Sequence, residues 1–229
     1  MNKFESDVKS MKNVIAIDGP GGAGKSTIAK LLAKKLNYLH LDTGSMYRAV
    51  TLSALRENIN FKEKDKLIKI AEKIDISFNE DGEIFLNNEN VSEEIRSAKV
   101  NQHVSETAAV KGVRKILVNK QRQLAENNKV VMDGRDITTV VLPEAEYKSF
   151  LTASLAERAE RRYQEIKYKN KEADFEKIKE SIARRDKLDS EREHSPLKKA
   201  EDAILLDTTD LSIDEVLEKM LLIIEGEFN

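Results

Sequence analysis

The sequence predicts an α/β protein, a parallel sheet flanked by helices, and three observations carry that reading. Short β-branched runs alternate along the chain with helical periodicity, the signature of strand–helix–strand units. A glycine-rich stretch, "GPGGAGKS" at Gly19 to Ser26, joins the first such strand to the first such helix. One alternating, turn-rich stretch from Ile74 to Val91 breaks the pattern and reads as a small antiparallel insertion.

Taken in order, "NVIAID" (Asn13 to Asp18) is a buried strand, and "STIAKLLAKKL" places Ile28, Leu31, Leu32 and Leu36 at helical spacing. "YLHLDTG" gives a second strand and "SMYRAVTLSALREN" a second helix; Lys64 to Ile74 is helical again. After the insertion, Ser92 to Asn127 is helical, with a break expected at Lys111-Gly112. "KVVMDG" and "EYKSFLTA" are strands. "LAERAERRYQEIKYK" and "DFEKIKESIARRDKLDSERE" are charged helices. "AILLDTTDLSIDEVLEKMLLII" supplies a strand, a turn with an N-cap region at Asp207 to Asp210, and an amphipathic helix.

The composition narrows the function. The 229 residues suit one domain and hide roughly 70% of the extended-chain surface. With 39 Lys and Arg against 41 Asp and Glu, the net charge is -2, so no global basic field exists to hold nucleic acid and anion binding must be local. The absence of cysteine removes thiolate chemistry. No apolar run approaches the ~18–20 residues of a membrane span. "MNKFESDVKSMKN" lacks the apolar core of a secretory signal and reads as a polar extension, so a cytoplasmic protein is expected.

Five of the chain's 9 glycines and 3 prolines crowd between Gly19 and Gly24 because the backbone there bends sharply around something. The stretch fits G-x-x-x-x-G-K-[ST], a P-loop, with strand before and helix after. Successive backbone N–H groups and a helix N-terminus cradle phosphates, Lys25 reaches the β/γ-phosphates, and the Ser26 hydroxyl suits Mg2+. A guanine-reading switch protein would carry N-K-x-D; "NKQR" at Asn119 to Arg122 lacks the Asp, which favours a kinase. Arg158, Arg161 and Arg162 stand at i, i+3, i+4, and Arg185, Asp189 and Arg192 at i, i+4, i+7, each set on one helical face. Two readings of these sets stay open: a solvated, ion-paired surface, or a lid closing over phosphates. His40, His103 and His194 have no metal-site spacing and read as structural or surface residues. Asp133 stands at a strand end where it could order Mg2+-bound water.

The chain resembles the bacterial-type cytidylate kinases, small P-loop kinases acting on nucleoside monophosphates. The resemblance runs from Asn13 to the last helix on "IDGPGGAGKST", "LDTGSMYRA", "VMDGRDI", "VLPEAEYKSFLTAS" with "AERAERR", "ARRDKLDSERE" with "SPL", and "DTTDLSIDEV". It implies a P-loop NTPase fold as one kinase domain over 1–229. Its parts are a core with the P-loop at 13–36, a monophosphate-binding part with the β insertion at about 43–115, and a helical lid at about 156–195. It implies ATP and Mg2+ and transfer of phosphate to CMP or dCMP. From the balanced charge and the lack of a membrane-length apolar run, no nucleic-acid or membrane partner is expected, and the protein is expected to be a monomer. Gly19, Pro20, Gly21, Gly22, Ala23, Gly24, Lys25, Ser26 and Thr27 would bind the ATP phosphates. Thr43, Tyr47 and Arg48 lie on the monophosphate side, with Arg48, Arg135 and Arg192 gripping the CMP phosphate. Ser105, Arg114 and Asp136 would read cytosine, Arg185 and Asp189 the ribose, and Arg158 to Arg162 would begin the lid. The chain departs from the family in "DITT", where Thr138 stands in place of a frequent Gly and a differently shaped turn is expected, and at Thr43, which replaces Ser and keeps the hydroxyl. A kinase of a neutral acceptor would explain the P-loop but not three phosphate-gripping arginines, and a switch protein would need the missing N-K-x-D.

Overall fold

A computed structural model describes residues 11–168 and 172–226 of the chain. The polar extension before Met11, and Lys169 at the end of the first charged helix, lie outside the described residues.

Strand β1 (Met11–Asp18) leads through the glycine loop into α1 (Lys25–Leu36), then β2 (Leu39–Asp42) and α2 (Thr43–Arg56). Helix α3 (Lys64–Lys73) precedes a three-stranded antiparallel sheet of β3 (Ile76–Phe78), β4 (Ile84–Leu86) and β5 (Glu89–Asn90). Helices α4 (Ala98–Ala109) and α5 (Lys111–Glu126) lead to β6 (Val130–Asp133). The rest is β7 (Ala145–Thr152), α6 (Leu155–Tyr168), α7 (Phe175–Ser190), β8 (Ile204–Asp207) and α8 (Ile213–Glu225). The main sheet is wholly parallel, in the order β2-β6-β1-β7-β8.

Strand alternation sends side chains to two cores. Ile15, Ile17, Val131 and Leu151 pack with Ile28 and Leu32 of α1 and with Val216, Met220 and Ile223 of α8. Val14, Ala16, Val130 and Met132 pack on the other face with Val118 and Ala125 of α5 and Ile137 and Val141. A third core unites α2, α3, α4 and α5 with the small sheet through Met46, Val50, Leu67, Ile84, Leu86, Val100 and Leu117. The antiparallel insertion is thus a separate layer fastened to α2, where the exposed Arg56 guanidinium also pairs with Glu89 and Glu94.

Four boundaries differ from the sequence reading. Ser92 to Ser97, expected to be helical, is a turn with one short 3-10 segment (Glu94–Arg96) that ends at an extended Ser97 (φ -60, ψ 157), so α4 starts only at Ala98. The long helical segment breaks at Val110, extended at φ -76 and ψ 111, and Gly112 lies inside α5. A Cβ on Gly112 would stand 2.4 Å from Ile68 Cδ1, so the glycine lets α5 approach α3 and does not end a helix. Helix α2 starts at Thr43 because Asp42 caps it, accepting from Ser45 N at 3.1 Å. The last helix is capped by Ser212, in a capping box with Glu215, rather than within Asp207 to Asp210.

The turn after Asp136 is a single π-helical turn over Ile137–Val141. Thr138 shapes it: its N–H and hydroxyl both donate to Asp18 Oδ2, each at 2.7 Å, while Ile137 N donates to Asp18 Oδ1 at 2.9 Å. Arg122 closes the far end by donating to the carbonyls of Val140 and Val141. β1, β2, β6 and β8 each end on an aspartate: Asp18, Asp42, Asp133 and Asp207. Ligands of open parallel sheets sit outside these carboxyl ends.

Candidate active site

An open cleft of about 2090 Å³ lies along that edge, lined by the glycine loop, α4, the Gly134–Arg135 turn and helices α6 and α7. Sites for one drug-sized ligand run to about 1,000 Å³, so this cleft has room for two nucleotides.

The glycine loop forms its floor. Gly19, at φ 143, passes so close to β7 that a Cβ would lie 1.9 Å from the Leu151 carbonyl oxygen. Gly24 is left-handed (φ 85) and starts α1 with no side-chain cap, so the first N–H groups of the helix stay free for an anion. Lys25 is buried and its Nζ donates to the Pro20 carbonyl at 2.8 Å. Burial, then the neighbouring Arg135 charge, push this amine down to about 7. Ser26, Thr27 and the glycines from Gly21 onward line the cleft.

Beside the loop, Asp133 gathers three partners. Its Oδ2 accepts from Ser26 Oγ at 2.7 Å, its Oδ1 from His40 Nε2 at 2.8 Å, and its carbonyl from Thr43 Oγ1 at 2.8 Å. A serine hydroxyl and a carboxylate side by side next to a phosphate loop are hard oxygen donors and fit Mg2+, which keeps several waters and takes few protein ligands. Among the described residues no group of three His, Cys, Asp or Glu could hold a metal ion.

The opposite wall is cationic around one carboxylate. Asp189 is 6% exposed and accepts from Arg135 Nε at 2.9 Å, with Arg185 Nε at 3.9 Å and Arg192 Nη1 at 3.8 Å. Burial pushes its carboxyl up, and Arg135, Arg185 and Arg192 outweigh that and hold it below the usual range. Arg48 donates to Asn101 Oδ1 at 2.6 Å and to the Ile95 carbonyl at 3.2 Å; burial and Arg185 lower it to about 9. Arg185 is lowered to about 10, by burial and then Arg135. Arg185 Nε and Arg192 Nε and Nη2 are buried donors with no hydrogen-bond acceptor. Buried charges without acceptors are costly, and a multiply charged anion would satisfy them.

Arg114 and Asp136 form a buried ion pair, and the Arg114 guanidinium lies 5.3 Å over the Tyr47 ring while donating to the Ala108 carbonyl at 3.1 Å. Burial pushes the Tyr47 phenol up to about 12. Ser105, half-buried on α4, lines the cleft. The three arginines of α6 part company. Arg161 and Arg162 line the cleft, the first donating to the Thr208 carbonyl at 2.6 Å and the second to Glu165 at 2.6 Å. Arg158 is 6% exposed and spends its guanidinium on Gly21 O (3.0 Å), Ala153 O (2.9 Å) and Asp186 (2.6 Å), tying the loop to α7.

Sequence reasoning missed Asp18, Asn101 and Asp186, and read His40 only as a structural or surface residue, whereas it is buried. The strand-terminal position of Asp18 was a usable signal. Asn101 and Asp186 matter through partners distant in sequence, which spacing does not report.

The family model described as "Cytidylate kinase" matches residues 15–226. A cytidylate kinase of Caldanaerobacter subterraneus subsp. tengcongensis is 56% identical over 207 residues, 90% of this chain and 92% of the relative. One from Bacillus cereus is 51% identical over 218 residues, covering 93% and 96%. In fold, the chain is similar to a solved uncharacterized protein from Eubacterium ventriosum (TM-score 0.53, 14% identity, 93% of this chain and 98% of that one).

Proposed function

The chain belongs to the cytidylate kinase family, and from that premise we propose that it transfers the γ-phosphoryl group of ATP to CMP and dCMP, giving CDP and dCDP. The observation that carries the reading is the pairing of a P-loop with a second, arginine-walled anion site in one cleft. A neutral acceptor would have no use for that second site.

In this reading the glycine loop and the free N–H groups at the start of α1 hold the ATP phosphates. Lys25 leaves the Pro20 carbonyl to reach the transferred group. Arg48, Arg135 and Arg192 hold the CMP phosphate, whose oxygen attacks the γ-phosphorus as ADP leaves. That oxygen is already anionic, so no side chain need act as a strong base; catalysis is positioning and charge neutralisation. When bound, Mg2+ supplies further neutralisation of phosphate charge, and Ser26, with Asp133 behind it, would hold it. Asp189 and Arg185 serve the ribose, and Ser105, Arg114 and Asp136 the base, once Arg114 and Asp136 open from each other. Residues 13–36 act as part of the core, about 43–115 as the monophosphate-binding part and about 156–195 as the lid. The reading further takes the protein as a cytoplasmic monomer with no nucleic-acid partner. Among the described residues no helix is long and apolar enough to cross a membrane.

The test is ATP consumption with CMP, dCMP, UMP, AMP or no acceptor. CMP and dCMP should be used best, and equal turnover without acceptor would overturn the reading.

A further inference from the structure

We propose that His40 is a positioning residue for the Ser26 hydroxyl, acting through Asp133. The inference deepens the reading of Ser26 as the protein's Mg2+ ligand and rests on it. His40 lies on β2, next to β6; the residue is 7% exposed and is not among those lining the cleft. Its Nε2 is 2.8 Å from one oxygen of Asp133, and the other oxygen accepts from Ser26 at 2.7 Å. A carboxylate only accepts, so the imidazole proton sits on Nε2.

The consequence concerns rotation. A carboxylate anchored at one oxygen alone swings about its Cβ–Cγ bond and offers either oxygen. Anchored at Oδ1 by His40, Asp133 is left with Oδ2 for Ser26. The serine proton is then committed to Asp133, and the lone pairs of Ser26 Oγ face a cation. Partners behind a metal ligand commonly set its orientation and affinity in this way.

The ring is itself held. Gly82, in the left-handed turn between β3 and β4 (φ 74), covers it so closely that a Cβ there would lie 3.1 Å from His40 Nδ1. That nitrogen is buried with no hydrogen-bond partner, which suits a lone pair better than an N–H. The small sheet thus clamps a ring that holds Asp133, 93 residues further along the chain.

The experiment measures ATP affinity calorimetrically with Mg2+ and with the metal chelated, together with the thermal midpoint. His40→Phe keeps a ring under Gly82 and removes the donor; His40→Leu is a second removal should the larger ring not fit. His40→Gln returns an N–H near the Nε2 position. We expect the removal variants to lose about 10-fold or more of the Mg2+-dependent gain in ATP affinity, with metal-free affinity unchanged, and His40→Gln to restore most of it. An intact Mg2+ gain in both removal variants, or equal losses with and without metal, overturns the inference while leaving Ser26 as the ligand. No Mg2+ gain in the unaltered protein overturns the metal reading and the inference together.

Discussion

Replacing Asp189 with Asn tests the arginine-walled site most directly. The carboxylate is the shared counter-charge of Arg135, Arg185 and Arg192, at 2.9, 3.9 and 3.8 Å, and is nearly buried. The amide retains a carbonyl for Arg135 Nε–H but removes the negative charge. Removing one partner of a buried ion pair costs about 3–5 kcal/mol. With one acceptor retained, about 3 kcal/mol is a fair figure, which for a chain of this length lowers Tm by roughly 6–12 °C. The site should then behave as an unfilled anion site. Inorganic phosphate should raise the Tm of Asp189→Asn by more than it raises that of the unaltered protein, because it supplies the missing charge. Thermal denaturation followed by circular dichroism, with and without phosphate, reads both effects. A fall below about 2 °C, or equal phosphate responses, would refute the view that these arginines depend on one carboxylate.

Three further outcomes follow from the same geometry. Lys25, pushed down to about 7 by burial and Arg135, is mostly neutral at pH 8, so ATP binding there should take up close to ~1 proton; calorimetry in buffers of different ionisation enthalpy measures this, and Lys25→Ala should abolish it and slow turnover by on the order of 10²–10³. Asn101→Ala removes the 2.6 Å acceptor that aims Arg48, a charged hydrogen bond worth about 1.5–3 kcal/mol, and should raise KM for CMP by ~10-fold or more with KM for ATP unchanged. Asp18 is held up at about 6 by burial, against the donors of Thr138 and Ile137, so the folded state binds this proton more tightly than the unfolded state; its contribution is full below about pH 4 and lost as pH rises to about 6, roughly 3 kcal/mol that denaturant titrations should find missing in Asp18→Asn.

The sequence carried the main sheet because buried parallel strands read as β-branched runs whatever their partners, and it carried the P-loop because that motif is local. It also carried the insertion, whose alternation and turn residues are local too. What escaped depends on distant contacts. Gly112 looks like a helix break until Ile68 of α3 is set against it, and the real break at Val110 has no distinctive residue. The π-helical turn exists because Thr138 meets Asp18, 120 residues away. Spacing put Arg158, Arg161 and Arg162 on one face, but their acceptors on the glycine loop, Thr208 and Glu165 draw them apart.

The position of β1 in the sheet has a consequence for how the chain is made. This strand is central, and its partners are β6, through Val14 with Val130, and β7, through Ile15 with Tyr147. Both emerge from the ribosome long after β1 does, at about 5–20 residues per second. For several seconds the strand and the helix after it must therefore remain unpaired, with Val14, Ile15 and Ile17 lacking the neighbours that later bury them. Such non-local pairing folds slowly and leaves apolar strands open to association. The α2–α5 layer and its small sheet, by contrast, draw on residues made close together and can collapse first. A growing chain should accordingly show protease protection in residues 46–117 before the glycine loop has taken its final shape.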